Sequence, residues 1–211
     1  MTLAAIKILV SYMLGSLSGS LLLGRFRHVD IRTMGSGNAG GTNAFRTQGL
    51  LFALGVVFID VAKSALAAGW VATFAWRGDM PMVANETVSL ACGFAAVLGH
   101  CYPVYHGFRG GKGAATAIGA LAVVQPWLLL PMFATWAVVL LFSGYVGLAT
   151  VLAGFSLVPA AWYLGASWPL MVFCISLALF MTFTHRGNLA RMRQGTENRF
   201  EKARIGHWFG R

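Results

Sequence analysis

The sequence predicts an all-α polytopic membrane protein of about seven transmembrane helices, with its N-terminus outside and its C-terminus in the cytoplasm. Three observations carry that reading. Of the 211 residues, 57% are hydrophobic and only 10% charged, whereas a soluble domain carries about 25% charged residues. The mean hydropathy is +0.69, and the apolar stretches break at glycine and proline. The basic residues also collect on one side of the simplest topology.

Taken in order, the apolar segments run 3–23, 50–76, 87–104, 114–124, 127–142, 148–164 and 168–184. Pro126, the pair Ser143-Gly144, and the stretch from Gly165 to Pro169 mark breaks. Several segments fall short of the roughly 20 residues a straight span needs, so five helices is the rival count. Either number is odd and puts the two termini on opposite sides. The first segment has only Lys7 as an early charge and no convincing small-residue cleavage site, so it reads as a retained helix. No internal repeat interrupts the chain, and residues 1–211 are read as a single integral-membrane domain.

Orientation follows from the enrichment of Lys and Arg in cytoplasmic loops. Arg25, Arg27, Arg32 and Arg46 follow the first segment, Arg109 and Lys112 precede the fourth, and Arg186, Arg191, Arg193, Arg199, Lys202, Arg204 and Arg211 lie in the tail. Thirteen of the 16 basic residues therefore fall on one face, leaving only Lys7, Lys63 and Arg77 elsewhere. The net charge of +10 is largely this asymmetry. Such a face also attracts anionic lipid headgroups, so a single tail arginine is explained by topology or lipid contact alone.

Three glycine-rich polar stretches lie on that face. The first, Gly35-Ser36-Gly37-Asn38-Ala39-Gly40, satisfies GxGxxG. That fingerprint has meaning only after a strand in a βαβ unit, and here it follows an apolar helix. It reads instead as a tight loop whose amides approach an anion, with Ser36, Asn38, Thr42 and Asn43 as hydrogen-bonding side chains and Arg46 as a planar fork for phosphate. A plain connecting loop is the alternative. The second, Gly110-Gly111-Lys112-Gly113, resembles a phosphate loop but departs from the nucleotide-binding pattern, because His106 replaces its first Gly and Gly113 its Ser or Thr. Ala114 onward reads as a helix start, where anions are stabilised. His100, at the preceding helix end, is either a packed histidine or part of the site. The third stretch sets His185 and Asn188 at i and i+3, on one face if the last helix continues, with Glu197 either orienting a basic partner or solvated in the tail.

Asp60 and Lys63 fall inside the second apolar segment, also at i and i+3. Ionisable groups at that depth are functional candidates, or they pair with each other. Cys92, Cys101 and Cys174 lack metal-ligand spacing and read as small apolar residues. The sequence has no HxxxxD acyltransferase signature, no GxSxG elbow and no carboxylate cluster for Mg²⁺; with six acidic residues in all, two-metal chemistry is not expected.

These motifs resemble those of the bacterial PlsY family, the membrane acyl-phosphate:glycerol-3-phosphate acyltransferases. Gly35-Ser36-Gly37-Asn38 with Gly40, Thr42-Asn43 and Arg46 is similar to the family's first motif. Gly99-His100, Pro103-Val104 and Gly107 through Gly113 are similar to its second, and His185-Arg186-Gly187-Asn188 with Gly195-Thr196-Glu197 to its third; Asp60 and Lys63 match as well. One departure stands at Gly144-Tyr145-Val146-Gly147-Leu148-Ala149-Thr150, where the family pattern resembles Arg-Tyr-Val-Ser-Leu-x-Ser, so no polar side chain is available at 147.

The resemblance implies acyl transfer from acyl phosphate to the 1-hydroxyl of glycerol 3-phosphate, giving lysophosphatidic acid and phosphate, at the cytoplasmic face of the bacterial inner membrane. It implies no cofactor or metal, membrane lipids as surroundings, and no nucleic-acid partner. It implies catalytic roles for His185, Lys112, Asn188 and Arg46. Phosphate contacts then fall to Ser36, Gly37, Asn38, Thr42, Asn43, Arg46, His100, Gly110, Gly111, Lys112, Gly113 and Glu197, with Asp60 and Lys63 in support. A transporter of organic phosphates and an acyl-CoA-dependent acyltransferase are the alternative functions.

Overall fold

Each apolar stretch is helical in the computed structural model, which describes residues 2–74 and 85–205. Trp76, Arg77 and Arg211 lie outside the described residues. The chain divides into two compact units, Met1–Gln125 and Pro126–Arg211.

In the first unit, α1 (Thr2–Gly15) breaks at Ser16 to Ser18 and resumes as α2 (Gly19–Arg27). A short turn, Ile31–Thr33, leads through the first polar stretch to α3 (Gly41–Gln48). Gly49, with φ of 84°, turns the chain into α4 (Leu50–Leu66), which continues through a π-helical turn, Ala67–Val71. Lys7 is buried and donates to the Ala72 carbonyl at 2.7 Å, just past that turn. The unit closes with α5 (Glu86–Cys101) and α6 (Ala114–Val124).

Small residues let these helices approach closely, as in lipid, where packing rather than water exclusion drives association. A Cβ at Gly15 would strike the Ala96 backbone, and one at Gly99 would strike Tyr12 O, which fixes α1 against α5. Gly119 meets the Val61 backbone in the same way, seating α6 on α4. Beneath the first polar stretch, Ile31, Ala44, Phe52, Ala53 and Val56 form a buried apolar cluster.

The second unit starts with the turn Pro126–Leu128 and α7 (Leu129–Ser143), ended by Gly144 at φ 75°. Next come α8 (Val146–Tyr163), α9 (Trp168–Thr184) and α10 (Arg186–Arg193). Ser167 caps α9 by accepting from Leu170 N at 3.3 Å, with Pro169 in its first turn, where no internal donor is lost. α8 packs against both α7 and α9.

Five helical stretches among the described residues are long and apolar enough to span a membrane: Leu3–Arg27, Leu50–Val71, Glu86–His106, Pro126–Ser143 and Val146–Tyr163. A sixth arises if α9 and α10, bent by 52°, are taken as one span. All seven expected segments contain a helix, but α6 has only 11 residues, too few for a straight crossing.

Candidate active site

The first polar stretch is shaped by its own backbone. Gly35 and Gly37 take φ of 57° and 71°, conformations that cost other residues energy. Asn43, 1% exposed, is the loop's internal brace. Its two Nδ2 hydrogens are shared among Ile31 O (2.9 Å), Asn38 O (2.9 Å) and Met34 O (3.1 Å), and its Oδ1 accepts from Ser36 N at 2.9 Å. The amide is thus fully engaged inside the loop. Gly37 N is likewise bonded, to Met34 O. Around this brace Ser36 and Arg46 are exposed, while Asn38 and Thr42 are half-buried. Ser20 Oγ donates to Ala39 O at 2.7 Å and ties the loop to α2.

The second polar stretch folds back on the end of α5. Gly107 and Phe108 both have positive φ, 63° and 58°, an uncommon conformation for a bulky residue. Gly110 N donates to Cys101 O at 3.2 Å and Gly111 N to His100 O at 3.1 Å. These two amides, expected to face a phosphate, instead pin the loop to the helix end. Donors remain at the start of α6, where Gly113 at φ 90° supplies no side-chain cap and the first-turn amides have no partner within the helix. Lys112, half-buried, stands next to Gly113, two residues before Ala114.

Sequence reading missed the link between the two stretches. Arg32 forms a bidentate pair with Asp30, its Nη2 2.7 Å from Oδ2 and its Nε 3.0 Å from Oδ1. Its Nη1 donates to His106 O (3.2 Å) and Arg109 O (3.3 Å). The guanidinium beside Asp30 holds that carboxyl below its ordinary range, outweighing slight desolvation. The available signal was an aspartate two residues from an arginine in a chain with six acids.

Asp60 and Lys63 do pair, at 2.8 Å, with side chains 1% and 3% exposed. Lys63 Nζ also reaches Leu17 O at 2.7 Å and His100 Nδ1 at 2.9 Å. Asp60 Oδ1 accepts from Gly19 N at 3.3 Å and lies 3.3 Å from His100 Nδ1. His100 is therefore buried within a charged cluster at the break between α1 and α2, and its ring edge faces Gly111.

In the second unit, His185 falls at the break between α9 and α10, so the helix does not run straight through as the i, i+3 reading required. Its Nδ1 lies 2.8 Å from Met181 O. A carbonyl only accepts, so Nδ1 carries a proton, and in the neutral form of the ring Nε2 is the acceptor. Asn188 Nδ2 donates to Glu197 Oε1 at 2.6 Å, and Glu197 Oε2 accepts from Arg191 Nε at 2.7 Å. Glu197 thus orients both an amide and a cation. Gly147 lies flat against Asn188, and a Cβ there would come within 2.8 Å of Asn188 Cβ. The absence of a side chain at 147 is thereby matched to the placement of Asn188. Among the described residues, no three His, Cys, Asp or Glu side chains group as metal ligands.

Comparison with known proteins adds independent findings. The model of the family described as Glycerol-3-phosphate acyltransferase matches residues 5–195. A glycerol-3-phosphate acyltransferase of Chlorobium luteolum is 37% identical over 228 residues, covering 94% of this chain and 97% of that protein. One from Bordetella pertussis is 36% identical over 204 residues, covering 92% and 91%. The fold is similar to the crystal structure of PlsY (YgiH), an integral membrane glycerol 3-phosphate acyltransferase, in its glycerol 3-phosphate form. The TM-score is 0.82 at 32% identity, over 93% of this chain and 95% of that one. The lysophosphatidic acid form of the same protein matches with a TM-score of 0.80 at 31% identity, with the same coverage of both chains.

Proposed function

The chain belongs to the glycerol-3-phosphate acyltransferase family, and from that premise we propose that it uses acyl phosphate to acylate the 1-hydroxyl of sn-glycerol 3-phosphate. It is an enzyme of the PlsY type. The products are lysophosphatidic acid and inorganic phosphate, formed in the first step of phospholipid synthesis. The chain works as one integral-membrane domain in the bacterial cytoplasmic membrane, N-terminus outside, with its polar loops and C-terminus facing the cytoplasm. The one-sided distribution of Lys and Arg supports that orientation.

The chemistry suits the residues. The substrate hydroxyl oxygen attacks the acyl carbonyl carbon, the bond from that carbon to the phosphate oxygen breaks, and the departing phosphate takes up the hydroxyl proton. Acyl phosphate is already activated, so the protein's task is to neutralise two phosphoryl groups and align them. Ser36, Asn38, Thr42 and Arg46 contact one phosphoryl group, on a loop held by Asn43 and turned at Gly37. Lys112 and the start of α6 contact the other, on a loop shaped by Gly110, Gly111 and Gly113. His185, with Nε2 as acceptor, orients the attacking hydroxyl. Asn188 is held for the same task by Glu197. Neither a cofactor nor a metal takes part.

The observation that carries this reading is the uncapped start of α6 beside Lys112, on a loop pinned by its own backbone. The test combines purified protein, acyl phosphate and glycerol 3-phosphate, without thioester or added metal. Lysophosphatidic acid and phosphate should appear in equal amounts. Lys112→Met and Arg46→Met should each abolish turnover while the protein stays folded in detergent. Transfer from acyl-CoA alone, or normal turnover in both variants, refutes the proposal.

A further inference from the structure

Lys63 assigns the tautomer of His100. An ammonium has three N–H donors and no lone pair, and Lys63 Nζ has three neighbours: Leu17 O at 2.7 Å, Asp60 Oδ1 at 2.8 Å and His100 Nδ1 at 2.9 Å. His100 Nδ1 must then be an acceptor. The competing arrangement has Nδ1–H pointing to Asp60 Oδ1 at 3.3 Å. It would leave two donors 2.9 Å apart with no acceptor between them. The neutral ring therefore carries its proton on Nε2.

That N–H has a defined place. A Cβ at Gly111 would collide with His100 Nε2, Cε1 and Cδ2, so the ring edge occupies the space a side chain would fill. The main chain of the same residue holds the loop, through Gly111 N to His100 O. His100 is 2% exposed, and among the described residues no protein group accepts a hydrogen bond from Nε2. Nε2 is nonetheless not sealed off from solvent, so its N–H is open to an arriving acceptor. Here it abuts a glycine loop that leads into the uncapped start of α6.

We propose that His100 donates Nε2–H to a phosphoryl oxygen seated at the Gly110–Gly113 loop, and that Asp60 and Lys63 are positioning residues that lock the ring in this tautomer. The inference rests on the reading of that loop as a phosphate site. Asp60 fixes the direction of the ammonium, Lys63 occupies Nδ1, and the proton is left on the loop side. Two residues deep in α4 thereby set the hydrogen-bonding character of a group on α5.

The first test is ¹⁵N NMR of the full chain, labelled at histidine, in detergent at neutral pH. His100 should show a protonated Nε2 and a bare Nδ1, and Lys63→Met should move the proton toward Nδ1. A resting Nδ1–H tautomer or an imidazolium overturns the proposal. The second test is kinetic. The amide nitrogen of Gln reaches the position of Nε2 and that of Asn does not, so His100→Gln should keep KM near the parent value. His100→Asn should raise KM for one phosphorylated substrate about 10- to 100-fold, the effect of losing one hydrogen bond to a charged group. Measuring KM separately for glycerol 3-phosphate and acyl phosphate identifies which phosphoryl group sits there. If Lys112→Met abolishes turnover and His100→Asn changes neither KM, the His100 proposal fails alone. If Lys112→Met turns over normally, the loop is not a phosphate site and both readings fall.

Discussion

Replacing Asn43 by Asp should disable the first polar loop more severely than replacing it by Ala. In the native loop one amide serves four backbone groups: three carbonyls, of Ile31, Met34 and Asn38, and the Ser36 N–H. Asn43→Ala abandons all of them, at about 1 kcal/mol net for each of two donated and one accepted hydrogen bond, or roughly 3 kcal/mol in total. Asn43→Asp keeps the acceptor for Ser36 but turns a second oxygen toward three carbonyl oxygens. That repulsion adds to the loss of the donors, unless the carboxyl protonates at further cost. The deficit is a large part of typical domain stability, and the brace is local, so the loop should open while the helices persist. Amide hydrogen exchange followed by mass spectrometry in detergent reads the effect directly. Exchange across residues 31–43 should accelerate about 100- to 1000-fold for the Ala variant, further for Asp, with KM for a phosphorylated substrate rising in parallel. Native-like exchange and KM in Asn43→Asp would refute the assignment of Asn43 as the brace.

Lys63→Met strands a buried carboxylate and should cost about 3–5 kcal/mol of stability, whereas adding Asp60→Asn should recover part of that loss; chemical unfolding in detergent measures both, and strict additivity would contradict coupling. Gly147→Val places a branched side chain where even a Cβ would be 2.8 Å from Asn188 Cβ. Displacing Asn188 from Glu197 should lower kcat about 100-fold, with Gly147→Ala less affected, and steady-state kinetics decide. The Asp30 carboxyl is held below its ordinary range by Arg32. Its contribution is therefore complete above the unfolded-state value and disappears as pH falls through the depressed one. Exchange of residues 104–111 should rise on that acid limb, and Asp30→Asn should abolish the pH dependence by removing the titrating group.

The three polar loops were legible because glycine, amide and cationic side chains stand out against apolar surroundings, and positive φ at Gly35, Gly37, Gly107 and Gly113 accounts for the glycine spacing. The Asp60–Lys63 pair was legible from its i, i+3 spacing. Its third member was not, since His100 is 37 residues beyond Lys63 and only the close approach of α1 to α5 reveals the shared cluster. The ties from Arg32 to the carbonyls of His106 and Arg109 were equally hidden, because backbone acceptors leave no compositional trace. Sequence also could not tell which way the Gly110 and Gly111 amides point. At His185 no Pro marks the bend and Gly187 lies two residues on, so helix continuity was the natural expectation. The count of spans stayed open for a related reason: hydropathy identifies α6 as apolar but does not say what 11 residues do at a bilayer.

The scarcity of acid has a structural logic. Four of the six acidic residues hold cations: Asp30 with Arg32, Asp60 with Lys63, Glu197 with Arg191, and Glu201 with Arg204. Three of the four carry a second link into a polar loop or its support; two of these run from Arg32 to His106 and Arg109, and from Glu197 to Asn188. Asp60 does the same through the His100 cluster. The carboxylates are thus spent on geometry, and 16 Lys and Arg against six Asp and Glu leave a surplus of ten positive charges. Adding carboxylates beside Lys112 or Arg46 would compete with phosphate for those groups. For the proposed binding of two phosphorylated reactants, keeping the acids few and committed limits the carboxylates that compete with phosphate.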